Sequence, residues 1–182
     1  MAQIEIGGVI YTAIDDKNAH AIIENGIGVL TIQDKVKIEG NEYIVTRIDK
    51  AKGQFYSYRI SGSRKNYTGS RNFLCNIPDT VTTIGDLSGC STAIPASVLV
   101  ISRIIAFEHV TIKIKSMNPP MLSDMARGPL GKGTLIVPKG ALEVYKNHPE
   151  WSKFDSISED PSLNEDSVPS SSNKVSSNSK EM

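Results

Sequence analysis

The 182 residues carry 20 basic and 20 acidic side chains, so the chain as a whole lacks the charge imbalance of a polyelectrolyte or general nucleic-acid binder. Apolar residues make up 39% of it, low for a globular domain, which points to one moderate core with polar appendages. No apolar run approaches membrane-spanning length, and the opening Met1-Ala2-Gln3-Ile4-Glu5-Ile6 shows no signal peptide, so the chain as written reads as cytoplasmic.

In chain order, residues 9–14 read as a strand, Asp15-Asp16-Lys17-Asn18 as a turn, and residues 19–24 as the returning strand. Residues 30–38 alternate apolar and polar side chains with a break at Asp34-Lys35. Glu39-Gly40-Asn41 then turns the chain into a strand over 43–48. The expectation is a run of successive antiparallel strands, an N-terminal β-hairpin cap over residues 1–48.

Residues 49–72 change character. Lys50, Lys52, Arg59, Arg64, Lys65 and Arg71 occur here, and from 50 to 72 there is no acidic residue; Phe55, Tyr56, Tyr58 and Tyr67 are interleaved. Tyrosine and arginine are enriched at protein-binding hot spots, and basic-aromatic mixtures also stack on single-stranded nucleic acid. A solvated insertion or a decayed repeat is the bland alternative. The contact candidates are Tyr56, Tyr58, Arg59, Arg64, Lys65 and Tyr67. Asn66-Tyr67-Thr68 is formally a glycosylation acceptor.

Phe73, Cys75 and Ile77 alternate onto one strand face. Then comes an apolar frame, Ile77-Pro78-Asp79-Thr80-Val81-Thr82-Thr83-Ile84, which returns as Ile94-Pro95-Ala96-Ser97-Val98-Leu99-Val100-Ile101 and more loosely as Val137-Pro138 to Val144. The residue before a proline is pushed to extended geometry and the proline ends pairing, so Ile77 and Ile94 should close short strands. Val81 and Ile84, three apart, then fall on one side of a turn or short 3₁₀ segment. One such unit cannot bury its own apolar face, whereas stacked units can. Cys75 and Cys90 lack zinc-ligand spacing and read as buried thiols.

Residues 110–115 alternate as a half-buried strand that Asn118-Pro119-Pro120 ends. The glycine-rich stretch 128–134 lacks the Gly-Lys-Ser/Thr order of a phosphate-binding loop and reads as a turn. Residues 141–147 form the best short helix, with Leu142 and Tyr145 on one face, and Trp151 and Phe154 supply a plug of aromatic bulk. From Asp155 the chain is rich in serine and poor in apolar residues, which reads as a disordered tail.

The stretch from Ile77 to Gly85 with Gly89-Cys90 resembles the repeat of the BspA-type leucine-rich repeat family. Residues 37–48 resemble the hairpin leading into its first repeat, and residues 134–154, with Leu135-Ile136-Val137-Pro138-Lys139-Gly140 and Trp151-Ser152-Lys153-Phe154, its closing element. Ile77 and Ile94 lie 17 residues apart, shorter than the usual repeat of roughly 20–29, so the array is short and degenerate.

The resemblance implies a mainly β fold, a short leucine-rich-repeat-like solenoid with an N-terminal β-hairpin cap and a C-terminal helix and tryptophan cap. Its segments would be repeats over 73–134, a closing element over 135–157 and a Ser-rich tail over 158–182. It implies a non-catalytic protein-binding module, with surface adhesion or host interaction as the family role and a cell-surface or secreted location. Two alternatives stand beside it: a nucleic-acid-binding accessory protein using the basic aromatic loop, and a degenerate structural remnant. His20, His109 and His148 are scattered, and no catalytic, metal or cofactor constellation is readable.

Overall fold

A computed structural model describes residues 1–123 and 133–165 of the chain. Most of the glycine-rich stretch and residues 166–182 of the expected tail lie outside the described residues.

The first strands are built by tight turns. β1 (Gln3–Ile6) and β2 (Val9–Ala13) are joined by Gly7-Gly8, whose φ values of 58° and 86° suit the right-handed twist of a two-residue hairpin. Asp15 Oδ1 accepts the Lys17 and Asn18 amides (2.8 and 2.7 Å), closing the turn into β3 (Asn18–Gly26), antiparallel to β2. The expected strand over 30–38 is two strands. β4 (Gly28–Thr31) and β5 (Lys35–Ile38) belong to different sheets, split at the Asp34-Lys35 break. β5 turns at Glu39-Gly40 into β6 (Asn41–Gly53), with which it is antiparallel.

The run of antiparallel strands stops there: β6 pairs with β3 in parallel, through a register with several bulges. The physical reason is the excursion through β4. The chain returns from it as β5, antiparallel to β6, and the Glu39-Gly40 turn reverses it, so β6 runs with β3.

From residue 73 this excursion becomes regular. β9 (Phe73–Asn76), β11 (Ser91–Ile94), β13 (Thr111–Ile114) and β15 (Thr134–Pro138) lie in one sheet; β10 (Thr83–Ser88), β12 (Val100–Ile105) and β14 (Met121–Leu122) lie in the other. Each strand pairs in parallel with its counterpart one circuit earlier. Leu74 pairs with Ser91 and Thr83 with Val100, both 17 residues on, while Thr111 pairs with Thr134 after 23. The first sheet runs β1-β2-β3-β6-β10-β12-β14. The second is parallel throughout and, with β16 (Ser156–Asp160), runs β16-β15-β13-β11-β9-β4.

The repeated frame explains each circuit. At the proline corners the Val81 amide donates to the Pro78 carbonyl and the Val98 amide to that of Pro95, both at 3.2 Å. Thr80 Oγ1 donates to the Val45 carbonyl (2.7 Å), and Ser97 Oγ, 17 residues later, to that of Val81 (2.8 Å), so each corner hydroxyl is bonded to the circuit before it. Val81, Ile84, Ile94 and Ile101 are fully buried between the sheets, and each such side chain contributes about 1.5–3 kcal/mol of apolar burial. The return segment departs from the expected turn or short 3₁₀ segment only beyond Val81 and Val98. Ile84 and Ile101 lie in strands, because Thr82 and Leu99 donate their amides to the Thr46 and Thr82 carbonyls of the neighbouring circuit (2.9 Å each). Gly85 is required there, since a Cβ would collide with the Asp49 carbonyl oxygen.

At the far end, α1 (Leu142–Lys146) carries Tyr145, which is buried and donates its hydroxyl to the Ser116 carbonyl at 2.8 Å. Trp151, also buried, donates its indole N–H to the Pro120 carbonyl (2.9 Å) and packs edge-on to Tyr145 and flat against Phe154. The reading of residues 155 onward as tail is corrected by β16 and α2 (Ser162–Glu165). Leu163 is buried, and Glu159 Oε1 accepts the Gly140 and Leu142 amides (2.9 and 3.3 Å) at the start of α1. The serine-rich composition hid one apolar anchor and one capping carboxylate.

Candidate functional site

The basic aromatic stretch is a hairpin, not a loop or a lapsed circuit. β7 (Phe55–Arg59) and β8 (Asn66–Ser70) form an antiparallel two-stranded sheet separate from the other two, inserted between β6 and β9. Its base is closed by the Gln54 amide donating to Gly26 (3.0 Å) and the Arg71 amide to Gln54 (2.9 Å). At its tip the Ser63 amide donates to the Ile60 carbonyl (2.9 Å), with Gly62 at φ 86°.

Strand alternation sorts the candidates. Tyr56 and Tyr58, two apart, share one face; their rings stack at 6.3 Å and are 46% and 54% exposed. Tyr56 lies over Gly69, where a Cβ would sit 2.7 Å from its hydroxyl, so glycine at 69 makes room for the ring. Arg59 faces the other way and donates Nε to the Ser63 carbonyl (2.8 Å), while Arg64 and Lys65 are exposed at the tip. Tyr67 pairs with Tyr58 through the backbone; its side chain lies outside the described residues.

Lys50 and Lys52, expected in the same stretch, belong to β6. Lys50 Nζ lies 3.2 Å from Glu24 Oε1, and the register sets Lys50, Asp86 and Arg103 side by side across three parallel strands, a row of alternating charge. The loop assigned to 49–72 therefore shrinks to the hairpin over 55–70.

Sequence reading missed the ground on which the hairpin stands. Phe55, on the face opposite Tyr56, meets Phe107 edge to face at 5.8 Å, and Phe107 stacks on His109 at 6.3 Å. His109 in turn borders an open depression of about 310 Å³ whose lining includes Val29, Asn72, Leu74 and Ser91. Val29 and Leu74 are 66% and 41% exposed and directly paired across β4 and β9. Nothing local marks these residues as neighbours; they are spread over 80 positions of the chain, from Val29 to His109, and meet through parallel pairing. A larger cleft of about 530 Å³ lies between residues 31–34 and 76–80, where two corners of unlike sequence adjoin.

Cys75 and Cys90 are free, buried thiols. A hydrogen bond with Cys75, then burial, pushes the Cys90 thiol well above the ordinary cysteine range, which keeps it protonated and unreactive. The three histidines do not converge. His20 lies in β3, His109 under Phe107, and His148 Nδ1 accepts the Glu150 and Trp151 amides (3.1 and 3.2 Å). No group of three or more His, Cys, Asp or Glu placed to hold a metal occurs among the described residues, and no helix there is long and apolar enough to cross a membrane.

No family model and no curated protein matches the chain. Among solved structures it is similar to that of the pneumococcal vaccine antigen PcpA, at a TM-score of 0.34 and 11% identity, over 86% of this chain and 46% of that one. The chain thus spans less than half of that structure's length.

Proposed function

We propose that the chain is a short solenoid of the BspA leucine-rich-repeat type, closed by a β-hairpin cap at its N-terminal end and a helix and tryptophan cap at the other, and that it is a non-catalytic protein-binding module. The architecture rests on the parallel pairing of successive circuits and on the repeated proline corners. Adhesion to a host or neighbouring-cell surface is the role the family resemblance implies.

The observation that carries binding is the exposed Tyr56–Tyr58 pair, held in fixed geometry on a hairpin braced by Phe55 against Phe107. Stacked tyrosines on a rigid strand lose little side-chain entropy on contact and present both an apolar face and a hydroxyl. Arg64 and Lys65 at the tip, and Arg59 on the opposite face, add donors for carboxylates or phosphates.

The test is affinity retention on the full chain beside a variant with Tyr56, Tyr58, Arg59, Arg64, Lys65 and Tyr67 changed to alanine, the two matched by melting temperature. Host-surface proteins and single-stranded nucleic acid are offered at low and high salt. A protein retained by the parent and lost by the variant supports the module and its face. Retention of nucleic acid alone, lost at high salt, transfers the hairpin to the electrostatic reading. Equal retention by both would remove the hairpin from the function.

A further inference from the structure

Among the described residues the two large sheets end at β1, β14, β16 and β4, and three of these ends are guarded. β1 carries Glu5; β14 is two residues long and follows Pro119-Pro120; β16 carries Glu159 and Asp160 and runs into Pro161. Charge, shortness and proline are the usual devices that keep an edge from recruiting another strand. The fourth edge, β4, is as short as β1 but carries neither a charge nor a proline. From residue 27 to residue 33 the sequence is Ile-Gly-Val-Leu-Thr-Ile-Gln, without a charge or a proline.

The free hydrogen-bonding groups of this edge can be placed. The Gly28 amide donates to Asn72 (3.1 Å) and the Ile32 amide to Asn76 (3.0 Å), so the even-numbered residues turn toward β9. The backbone N–H and C=O of Val29 and Thr31 therefore point away from the sheet, beyond its last strand. Gly28, at φ 72°, breaks the extended geometry before them, and the Gln33 amide, bonded to the Tyr11 hydroxyl at 2.9 Å, marks the far limit. The available edge is Val29-Leu30-Thr31.

This edge is complementary to itself. A two-fold axis through Leu30 sets Val29 opposite Thr31 of a second copy and Thr31 opposite its Val29, which completes four backbone hydrogen bonds. The side chains agree with that register. Val29 and Thr31, both β-branched, face each other on the exposed side, and the half-buried Leu30 meets its own counterpart on the core side. The edge itself, residues 27–33, carries no charged side chain to oppose the pairing.

We infer that the β4 edge is a homodimer interface, at which two copies pair antiparallel about Leu30 and join their six-stranded sheets into one. The inference is independent of the hairpin. With only three residues per copy in the ladder, the dimer is weak and forms only at high protein concentration.

Sedimentation of the full chain from about 1 to 500 μM is the test, beside Val29→Lys and Leu30→Cys variants. The expected result is a concentration-dependent doubling of mass, abolished by Val29→Lys with no change in melting temperature. Under mild oxidation Leu30→Cys, combined with Cys75→Ser to remove the thiol that pairs with residue 30 on β9, should form a disulfide between copies, because residues opposite each other at a non-hydrogen-bonded position lie within bridging distance. A monomer at every concentration would overturn the inference, as would a dimer that survives Val29→Lys, which would place the contact elsewhere.

Discussion

Replacing Tyr145 by phenylalanine removes one hydroxyl and keeps the ring, so it isolates what that hydroxyl contributes to closing the end of the core. At pH 7 the loss is the 2.8 Å bond to the Ser116 carbonyl, about 1 kcal/mol net. Burial lifts the folded-state pKa of Tyr145 far above the ordinary tyrosine value. In the unfolded chain the proton leaves near pH ~10, whereas the folded chain retains it. Above that value the unfolded state binds fewer protons, so the wild type loses about 1.4 kcal/mol of stability per pH unit from this group. The contribution is complete below pH ~10 and declines as pH rises. The variant has no such proton to lose. Its deficit of about 1 kcal/mol should shrink from pH ~10 and vanish at roughly pH 10.7. Tyr11 and Cys90 are shifted upward too, but both are present in the two proteins and cancel in the difference. Urea unfolding followed by far-ultraviolet circular dichroism between pH 7 and 11 measures it. An offset that stays constant across that range would refute the linkage.

Trp151→Phe should cost about 2 kcal/mol, combining the lost hydrogen bond to Pro120 with a cavity beside Phe154; urea midpoints read it. Gly85→Ala forces a methyl group onto the Asp49 carbonyl and should destabilise by about 2 kcal/mol, whereas Gly62→Ala at the hairpin tip should cost about 1 kcal/mol through its φ of 86° alone. Calorimetry that finds the two equal would contradict the close approach at Gly85. A chain ending at residue 155 should melt about 10 °C below one ending at 165, since it loses β16, the Leu163 anchor and the Glu159 cap; equal melting temperatures would return residues 156–165 to the tail.

The sequence by itself determined the β-rich class, the proline corners and the aromatic pairing of Trp151 with Phe154. Each rests on a local rule: proline fixes its own φ and the geometry of the residue before it, and two-residue alternation separates a buried face from an open one. Val81, Ile84, Val98 and Ile101 were legible as anchors because their spacing repeats within one chain. The tyrosines were legible as exposed because no apolar frame surrounds them. Pairing was another matter. Whether residues 43–48 run with or against residues 19–24 depends on where β4 lies, and no local pattern encodes that. The insertion over 55–70 became a hairpin only because its two ends meet at Gln54 and Arg71. Phe55, Phe107, His109, Leu74 and Val29 acquire a common surface only when parallel strands bring their circuits together. Burial and turn chemistry are short-range and can be read from neighbours in the chain. Register and strand partnership are settled by the whole sheet, and so only the tertiary structure decided them.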